Sequence, residues 1–153
     1  MASVRPARFC DVWRLAPNLR KADAEECLAG TGNGPLKALL NSYLGSTQVF
    51  VAEDDEGPFC MFGSGPTGIH SVGFVWMLGT PGLQKNRIQF ARESRMWVDR
   101  LHDGFPVLWN FTDARNEVHH RWLRWCGFTF IKKHEQFGVE RRPFYEFVRI
   151  KHV

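Results

Sequence analysis

Residues 75–101, VWMLGTPGLQKNRIQFARESRMWVDRL, decide the fold of this chain. The stretch begins as an apolar run, passes through the glycine- and proline-rich segment 79–82, and ends in a long amphipathic pattern. This order predicts a buried strand, a loop and a helix. The free N–H groups at the start of such a helix favour phosphate, so the loop is the first candidate binding site. We expect the buried face of the helix to contain the residues at steps of three and four, namely Ile88, Ala91, Ser94, Trp97, Val98 and Leu101.

The length of the chain, 153 residues, fits one domain over residues 1–153, with a core that needs no disulfide. No apolar run approaches membrane-spanning length, and the first residues lack the apolar segment of a signal peptide. The cysteines are scattered without a CxxC pair, which favours reduced thiols over disulfides or a zinc site. We therefore expect a soluble cytoplasmic protein in a reducing compartment.

The positive charge of the chain lies at its C-terminal end. The net charge is +4, and residues 114–153 carry nine Lys and Arg against four Asp and Glu, a difference of +5. Aromatic residues interleave with these charges. Such a segment could bind nucleic acid, coenzyme phosphates or an acidic protein surface, and a solvated basic face is the simplest interpretation.

The N-terminal third predicts one strand followed by helices. Residues 4–9 alternate weakly between apolar and polar and predict a short strand. Asp11 and Asp23 stand where helix N-caps are expected. Pro35 and Gly45 are typical of the first residue and the end of a further helix.

The rest of the chain predicts a mixed sheet. A polar connection is expected at residues 134–143, and Asn116 and Gly127 bracket another predicted helix. The predicted strands after the first are residues 48–53, 58–63, 72–78, 106–111, 128–131 and 144–150. The order of elements is therefore strand, helices, a three-strand meander, helix, strand, helix and two strands, which indicates an α/β sheet covered by helices.

That order, together with residues 116–128, NEVHHRWLRWCGF, resembles the GNAT superfamily of acyl-CoA-dependent N-acyltransferases. Members commonly show an asparagine, then a helix with a tyrosine, then Gly-Phe at the start of a strand. Asn116, Gly127 and Phe128 match this pattern. The length and the tryptophan content are most similar to acetyltransferase-like proteins of short-tailed phages, some of them called internal virion proteins. The resemblance implies the GNAT fold, and a phage origin would place the protein in the host cytoplasm or the virion.

The resemblance also implies acetyl-CoA as cofactor. Members hold its pyrophosphate with a Gln/Arg-x-x-Gly-x-Gly/Ala loop before the central helix, and the window here is residues 84–89. Gln84 matches, whereas Arg87 and Gln89 occupy the glycine positions, so side chains would have to meet the phosphates. The residues implied in cofactor binding are Leu78, Gln84, Lys85, Asn86, Arg87, Ile88 and Asn116.

Only some of the catalytic residues that the resemblance implies are present in this sequence. The tyrosine that serves as general acid falls on Leu123, which has no proton to give. For the general base, His70 titrates in a useful range, with Glu53 and Asp113 as alternatives. Asn116 would receive a pantetheine amide or, alternatively, cap its helix.

A metal site is not predicted, because adjacent histidines such as His119 and His120 point about 100° apart on a helix. Two functions follow. The first is acetyl transfer from acetyl-CoA to an amine; the second is a non-catalytic phage-type virion, assembly or protein-binding role. An open slot between the parallel strands favours the first, and a slot filled by Arg87, Trp76 or Trp109 favours the second.

Overall fold

A single seven-stranded sheet runs through the computed structural model, which describes residues 2–151. The strands are β1 (Ser3–Pro6), β2 (Gln48–Asp54), β3 (Gly57–Pro66), β4 (Val72–Gly79), β5 (Val107–Asp113), β6 (Thr129–Phe137) and β7 (Arg142–Ile150). Their order in the sheet is β1-β2-β3-β4-β5-β7-β6. Only the pair β4 and β5 is parallel, and every other pair is antiparallel.

Six α-helices within residues 2–151 cover the sheet. They are α1 (Phe9–Leu15), α2 (Lys21–Thr31), α3 (Pro35–Gly45), α4 (Gly82–Lys85), α5 (Arg87–Leu101) and α6 (Glu117–Trp125), with a short 3-10 turn at Ala16–Asn18. One core layer packs α5 and α6 against one face of the sheet, and a second packs α1 and α3 against the other. None of the helices in the described part is long and apolar enough to cross a membrane. The predicted mixed α/β order is confirmed.

The two aspartates predicted as N-caps lie inside their helices instead. Arg8 and Arg20 precede the first residues of α1 and α2. Asp11 accepts the N–H of Arg8 at 2.7 Å and a bidentate ion pair from Arg5, so it satisfies the helix start from its third position. The first strand accordingly ends at Pro6, before the predicted residue 9. Asp23 serves a different purpose, described below.

The central helix begins later than the 84–89 window suggests. Gly82–Lys85 forms a separate helical turn, α4, and Asn86 separates it from α5. The Asn86 side-chain N–H₂ donates to Asp54 at 2.8 Å. The register of α5 buries Phe90, Ser94, Val98 and Leu101. Ile88 is 63% exposed, so its prediction as a core residue was wrong, and Phe90 takes that role.

The connection predicted at residues 134–143 is mostly strand. β6 continues to Phe137 and β7 begins at Arg142, because β6 is an edge strand whose polar side chains face solvent. The turn between them uses positive φ angles at Gly138 (74°) and Arg141 (51°).

The parallel strands β4 and β5 pair over only three residues each, Val72 to Phe74 opposite Val107 to Trp109. Asn110 ends the pairing, because its side-chain N–H₂ donates to the Val75 carbonyl at 2.8 Å while its Oδ1 accepts the Phe111 N–H at 2.8 Å. Beyond Asn110 the strands have no shared backbone register. We call this opening the split.

Candidate active site

The outer end of the split is bridged by side chains of α2. Asp23 accepts the N–H of Gly79, the last residue of β4, at 2.9 Å. Glu26 accepts the N–H of Asp113, the last residue of β5, at 2.8 Å. These two carboxylates lie one turn apart on α2. They therefore accept the backbone N–H groups that would otherwise bond to the carbonyl groups of a neighbouring strand.

Arg20 and Asn116 connect the two carboxylates. Arg20 forms an ion pair with Asp23 at 2.8 Å and donates to Oδ1 of the Asn116 side chain at 3.1 Å. The Asn116 N–H₂ donates to Asp23 at 3.0 Å and to Glu26 at 3.4 Å. Both ends of the Asn116 amide are thus used, and the side chain makes no capping bond to α6 although the residue stands at the N-cap position.

One residue of β4, Met77, pairs with Phe62 of β3 on one side and has no strand partner on the side of the split. Peptide groups alternate in direction along a strand, and both Val75 and Gly79 bond toward the β5 side. Met77, between them, turns its N–H and C=O the same way, and the pairing with β5 ends before it. An extended ligand could therefore hydrogen-bond to the Met77 peptide group.

A cavity of about 620 Å³ lies beside the split, between the end of β4, the start of α5 and α6. Its volume is in the range of cavities that hold small molecules and cofactors. The wall is largely apolar with four arginines, and its main residues are Arg20, Met77, Leu83, Gln84, Arg87, Ile88, Phe90, Arg92, Val118, His119, Arg121, Trp122 and Trp125. No acidic side chain lines it among residues 2–151.

Three of the residues predicted in the phosphate loop line this cavity: Gln84, Arg87 and Ile88. The other two do not, because Lys85 pairs with Glu56 of the turn between β2 and β3 at 3.1 Å and Asn86 binds Asp54, the last residue of β2. Leu78 also turns away, since its side chain is buried in the core layer shared with α1 and α3.

The predicted catalytic residues do not meet. His70 is exposed in the turn that precedes β4, whereas the cavity adjoins the other end of that strand. Asn116 lies at the split, buried and 2% exposed. Leu123, at the position of the tyrosine, is 1% exposed within the core layer of α5 and α6.

His119 is a polar group without a partner in the wall of the cavity. The residue is 7% exposed, its ring stacks on Trp122 at 5.8 Å, and its Nδ1 is buried without a hydrogen bond within the described chain. Burial lowers the pKa of the His119 imidazole to about 4, so the ring is neutral at pH 7. Its neighbour His120 instead binds the Asp113 carbonyl through Nε2 at 2.8 Å.

The cysteines are four free thiols, and none of them lines the cavity. Burial raises the pKa of the Cys126 thiol to about 12. A thiol of that pKa is protonated at neutral pH and unreactive.

The sequence interpretation missed Arg20, Glu26 and His119 as site residues. The spacing of Asp23 and Glu26, one helical turn apart, was the available signal, and it was assigned to capping. His119 was considered only as a metal ligand. For Arg20 and Glu26 the decisive contacts are with Asn116, 96 and 90 positions away.

Comparison with known proteins rests on structure, since no protein-family model and no curated protein matches the sequence. An acetyltransferase of the GNAT family from Streptococcus pneumoniae superimposes with a TM-score of 0.67 at 14% identity, over 99% of this chain and 100% of that one. The fold is that of the GNAT acetyltransferases.

Two further GNAT-fold structures show the same agreement. The ribosomal-protein-alanine N-acetyltransferase of Brucella melitensis gives a TM-score of 0.69 at 18% identity, covering 97% of this chain and 99% of that one. The spermidine N-acetyltransferase of Vibrio cholerae, solved with CoA and spermine, gives 0.64 at 15% identity, covering 98% and 95%. The predicted GNAT fold is confirmed.

The bulky residues expected to fill the split in a non-catalytic GNAT-fold protein lie elsewhere. The Trp76 indole donates to Ser46 at 2.8 Å, and the Trp109 indole donates to Glu146 at 2.6 Å. Arg87 is exposed on the cavity wall. The inner part of the split, next to Met77, is thus not occupied by any of the three.

Proposed function

We propose that this chain binds an acyl-coenzyme A, such as acetyl-CoA, in the cavity and transfers the acyl group to an amine. The observation that carries the proposal is the cavity of about 620 Å³ beside the split between β4 and β5. Bound there, the coenzyme would supply an acyl group activated as a thioester.

Arginine side chains are suited to hold the phosphates. Arg92 and Arg121 line the cavity, are exposed, and form no hydrogen bond or ion pair with any residue between 2 and 151. Arg87 adds a third guanidinium, bonded only to the Gln84 carbonyl at 3.3 Å. Unpaired guanidinium groups on an apolar wall favour a polyanion with an apolar stem.

Backbone groups are suited to hold the stem. The Met77 peptide group offers one donor and one acceptor to an extended amide-bearing chain. The Nδ1 atom of His119, although it has no partner among residues 2–151, is buried in the cavity wall and does not reach the ligand.

The phosphate loop differs from the pattern of the resembling enzymes. The helical turn Gly82–Lys85 stands where a glycine loop would cradle the pyrophosphate. The N–H groups of Arg87, Ile88 and Gln89 nevertheless precede the first bond within α5, from Phe90 to the Asn86 carbonyl. Phosphate binding would therefore combine side chains with the helix start.

Leu123 supports a second candidate, a GNAT-fold protein that binds the coenzyme or a partner without catalysis. The leaving thiolate finds no proton donor at this buried position. A phage-type virion or assembly role, a protein partner and nucleic-acid binding by the basic C-terminal end remain predictions. Binding of acetyl-CoA without formation of free CoA in the presence of amines would favour this candidate.

Calorimetric titration with acetyl-CoA, and with coenzyme A as second ligand, tests the proposal. We expect micromolar binding, and at least about tenfold weaker binding for each of Arg92→Ala and Arg121→Ala, because a charge-assisted hydrogen bond contributes about 1.5–3 kcal/mol. Lys37→Ala is the matched control, since it removes an exposed positive charge from α3 on the other side of the sheet. Absence of binding at millimolar acetyl-CoA would overturn the proposal.

A further inference from the structure

A row of positively charged side chains, each placed over an aromatic ring, crosses the face of the molecule formed by α5, α6 and the hairpin of β6 and β7. The guanidinium carbon of Arg95 lies 4.1 Å from the centroid of the Trp125 ring. The corresponding distances are 4.7 Å from Arg124 to Phe130 and 5.9 Å from the Lys133 ammonium to Tyr145. We call these three pairs the basic strip; its residues are Arg95, Trp125, Arg124, Phe130, Lys133 and Tyr145.

The three pairs of the basic strip are joined to one another. The Arg95 Nε–H donates to the Trp125 carbonyl at 2.7 Å, and Trp125 is followed back along α6 by Arg124. The Phe130 and Tyr145 rings stack with their centroids 5.4 Å apart, which connects the second pair to the third. The basic strip is therefore one continuous surface that extends from α5 to the edge strand β6.

The cations of the basic strip are poorly compensated by carboxylates. Arg95 and Arg124 are exposed and form no ion pair with any other residue in the range 2–151. Lys133 pairs only with Glu135 there, at 3.6 Å, and the Glu135 side chain is 70% exposed. A cluster of uncompensated positive charges at the surface attracts an anionic partner.

The aromatic rings favour one kind of anionic partner. An acidic protein surface would neutralise the charges without using the rings, whereas each nucleotide of a single strand offers both a phosphate and a flat base. Trp125 is 47% exposed, and Phe130 and Tyr145 are half-buried. Because arginine and lysine side chains are flexible, a cation that moves from its ring to a phosphate leaves the ring face available to a base.

We propose that the basic strip binds single-stranded nucleic acid, with its cations on phosphates and its rings stacked on bases. Binding is largely independent of base sequence, since phosphates are common to all nucleotides and every base has a flat face. The proposal does not depend on acyl transfer, because Trp125 is the only residue of the basic strip that also lines the cavity.

The test uses the full chain and a fluorescein-labelled 12-nucleotide oligouridylate, followed by fluorescence anisotropy. We expect saturable micromolar binding in 50 mM NaCl and a slope of log K against log [NaCl] of about −2, since each of three phosphates contributes about 0.7. Arg124→Ala and Lys133→Ala should each bind at least about threefold more weakly and lose about 0.7 of the slope. Lys37→Ala is the matched control, because it removes an exposed charge from α3 on the other side of the sheet.

A second pair of variants tests the rings. Phe130→Leu should weaken binding at least about fivefold and leave the salt slope unchanged, because stacking on a base involves no counterion. Phe9→Leu is its control, since this ring of α1 is 49% exposed and lies outside the basic strip. Thermal unfolding of each variant shows whether it is folded. The test of the charges does not depend on Phe130, because Arg124 and Lys133 are exposed.

Three outcomes would overturn the proposal. They are no binding at 100 μM protein in 50 mM NaCl, equal losses in Lys37→Ala and the two charge variants, and equally tight binding of a labelled 12-residue polyglutamate. The last outcome would assign the surface to an acidic protein partner. Calorimetry with acetyl-CoA should give the same affinity for Arg124→Ala, Lys133→Ala and wild type, so a failure of the coenzyme site is seen separately.

Discussion

Replacing Glu26 by Gln should stabilise the folded protein, and by an amount that grows with pH. Gln keeps an acceptor oxygen for Thr112, Asp113 and Asn116 but carries no charge. In the wild type the carboxyl has a pKa of about 7 in the folded state, against 4.5 ordinarily. Between these two values the unfolded chain loses the proton while the folded chain retains it.

The sign and size of the effect follow from linkage. A raised pKa contributes stability that is fully present below pH 4.5 and is lost as the pH rises through about 7. The interval from 4.5 to about 7, at about 1.4 kcal/mol per pH unit, corresponds to about 3 kcal/mol. The difference in free energy of unfolding between Glu26→Gln and wild type should therefore increase by about 3 kcal/mol from pH 4.5 to pH 8.

Urea denaturation followed by tryptophan fluorescence at intervals between pH 4.5 and pH 8 measures this difference. Glu25→Gln is the control, because it removes a neighbouring carboxylate of α2 that pairs with Lys21 at 3.7 Å and with Arg115 at 3.8 Å. A constant difference between Glu26→Gln and wild type across this range would show that the carboxyl ionises normally. Burial and the charge of Asp23 would then not raise the pKa of the Glu26 carboxyl.

Two further predictions concern packing. A Cβ at Gly138 would overlap the Ala29 carbonyl, whereas at Gly68, which also has a positive φ, it would meet nothing within 4 Å. Gly138→Ala should therefore cost about 1–3 kcal/mol more than Gly68→Ala in thermal unfolding, and equal costs would contradict the close approach. Leu123→Ala should cost about 2–5 kcal/mol as a core residue, against less than about 1 kcal/mol for the half-exposed Val118→Ala, and a small loss at Leu123 would argue for an unfilled site there.

The sequence was sufficient for the order of the elements because that order depends on local patterns. The apolar run before Gly79, the helix after it and the hairpin of β2 and β3 each follow from residues close together in the chain. Pro35 and Gly45 bound α3 as predicted, since capping preferences are local as well.

Local sequence patterns gave wrong predictions where contacts between residues distant in sequence determine the structure. Ile88 and Phe90 both fit an amphipathic helix, and only the break at Asn86 fixes which of them faces the core. Residues 134–137 look like a loop because an edge strand needs no apolar alternation. Asp23 was assigned to a helix start, since nothing nearby in sequence indicates its bond to Gly79, 56 positions away.

The short pairing of β4 with β5 divides the sheet into two parts that are joined over only a few residues. One part contains β1 to β4 and the other contains β5 to β7, and three residue pairs in parallel register connect them. Helix α2 connects the two parts where their strands separate, because Asp23 accepts a backbone N–H of β4 and Glu26 accepts a backbone N–H of β5. Since both connections are made by carboxylates, protonation of Glu26 weakens the hydrogen bonds that it accepts from β5. The width of the opening and the charge inside it are therefore governed by the same atoms.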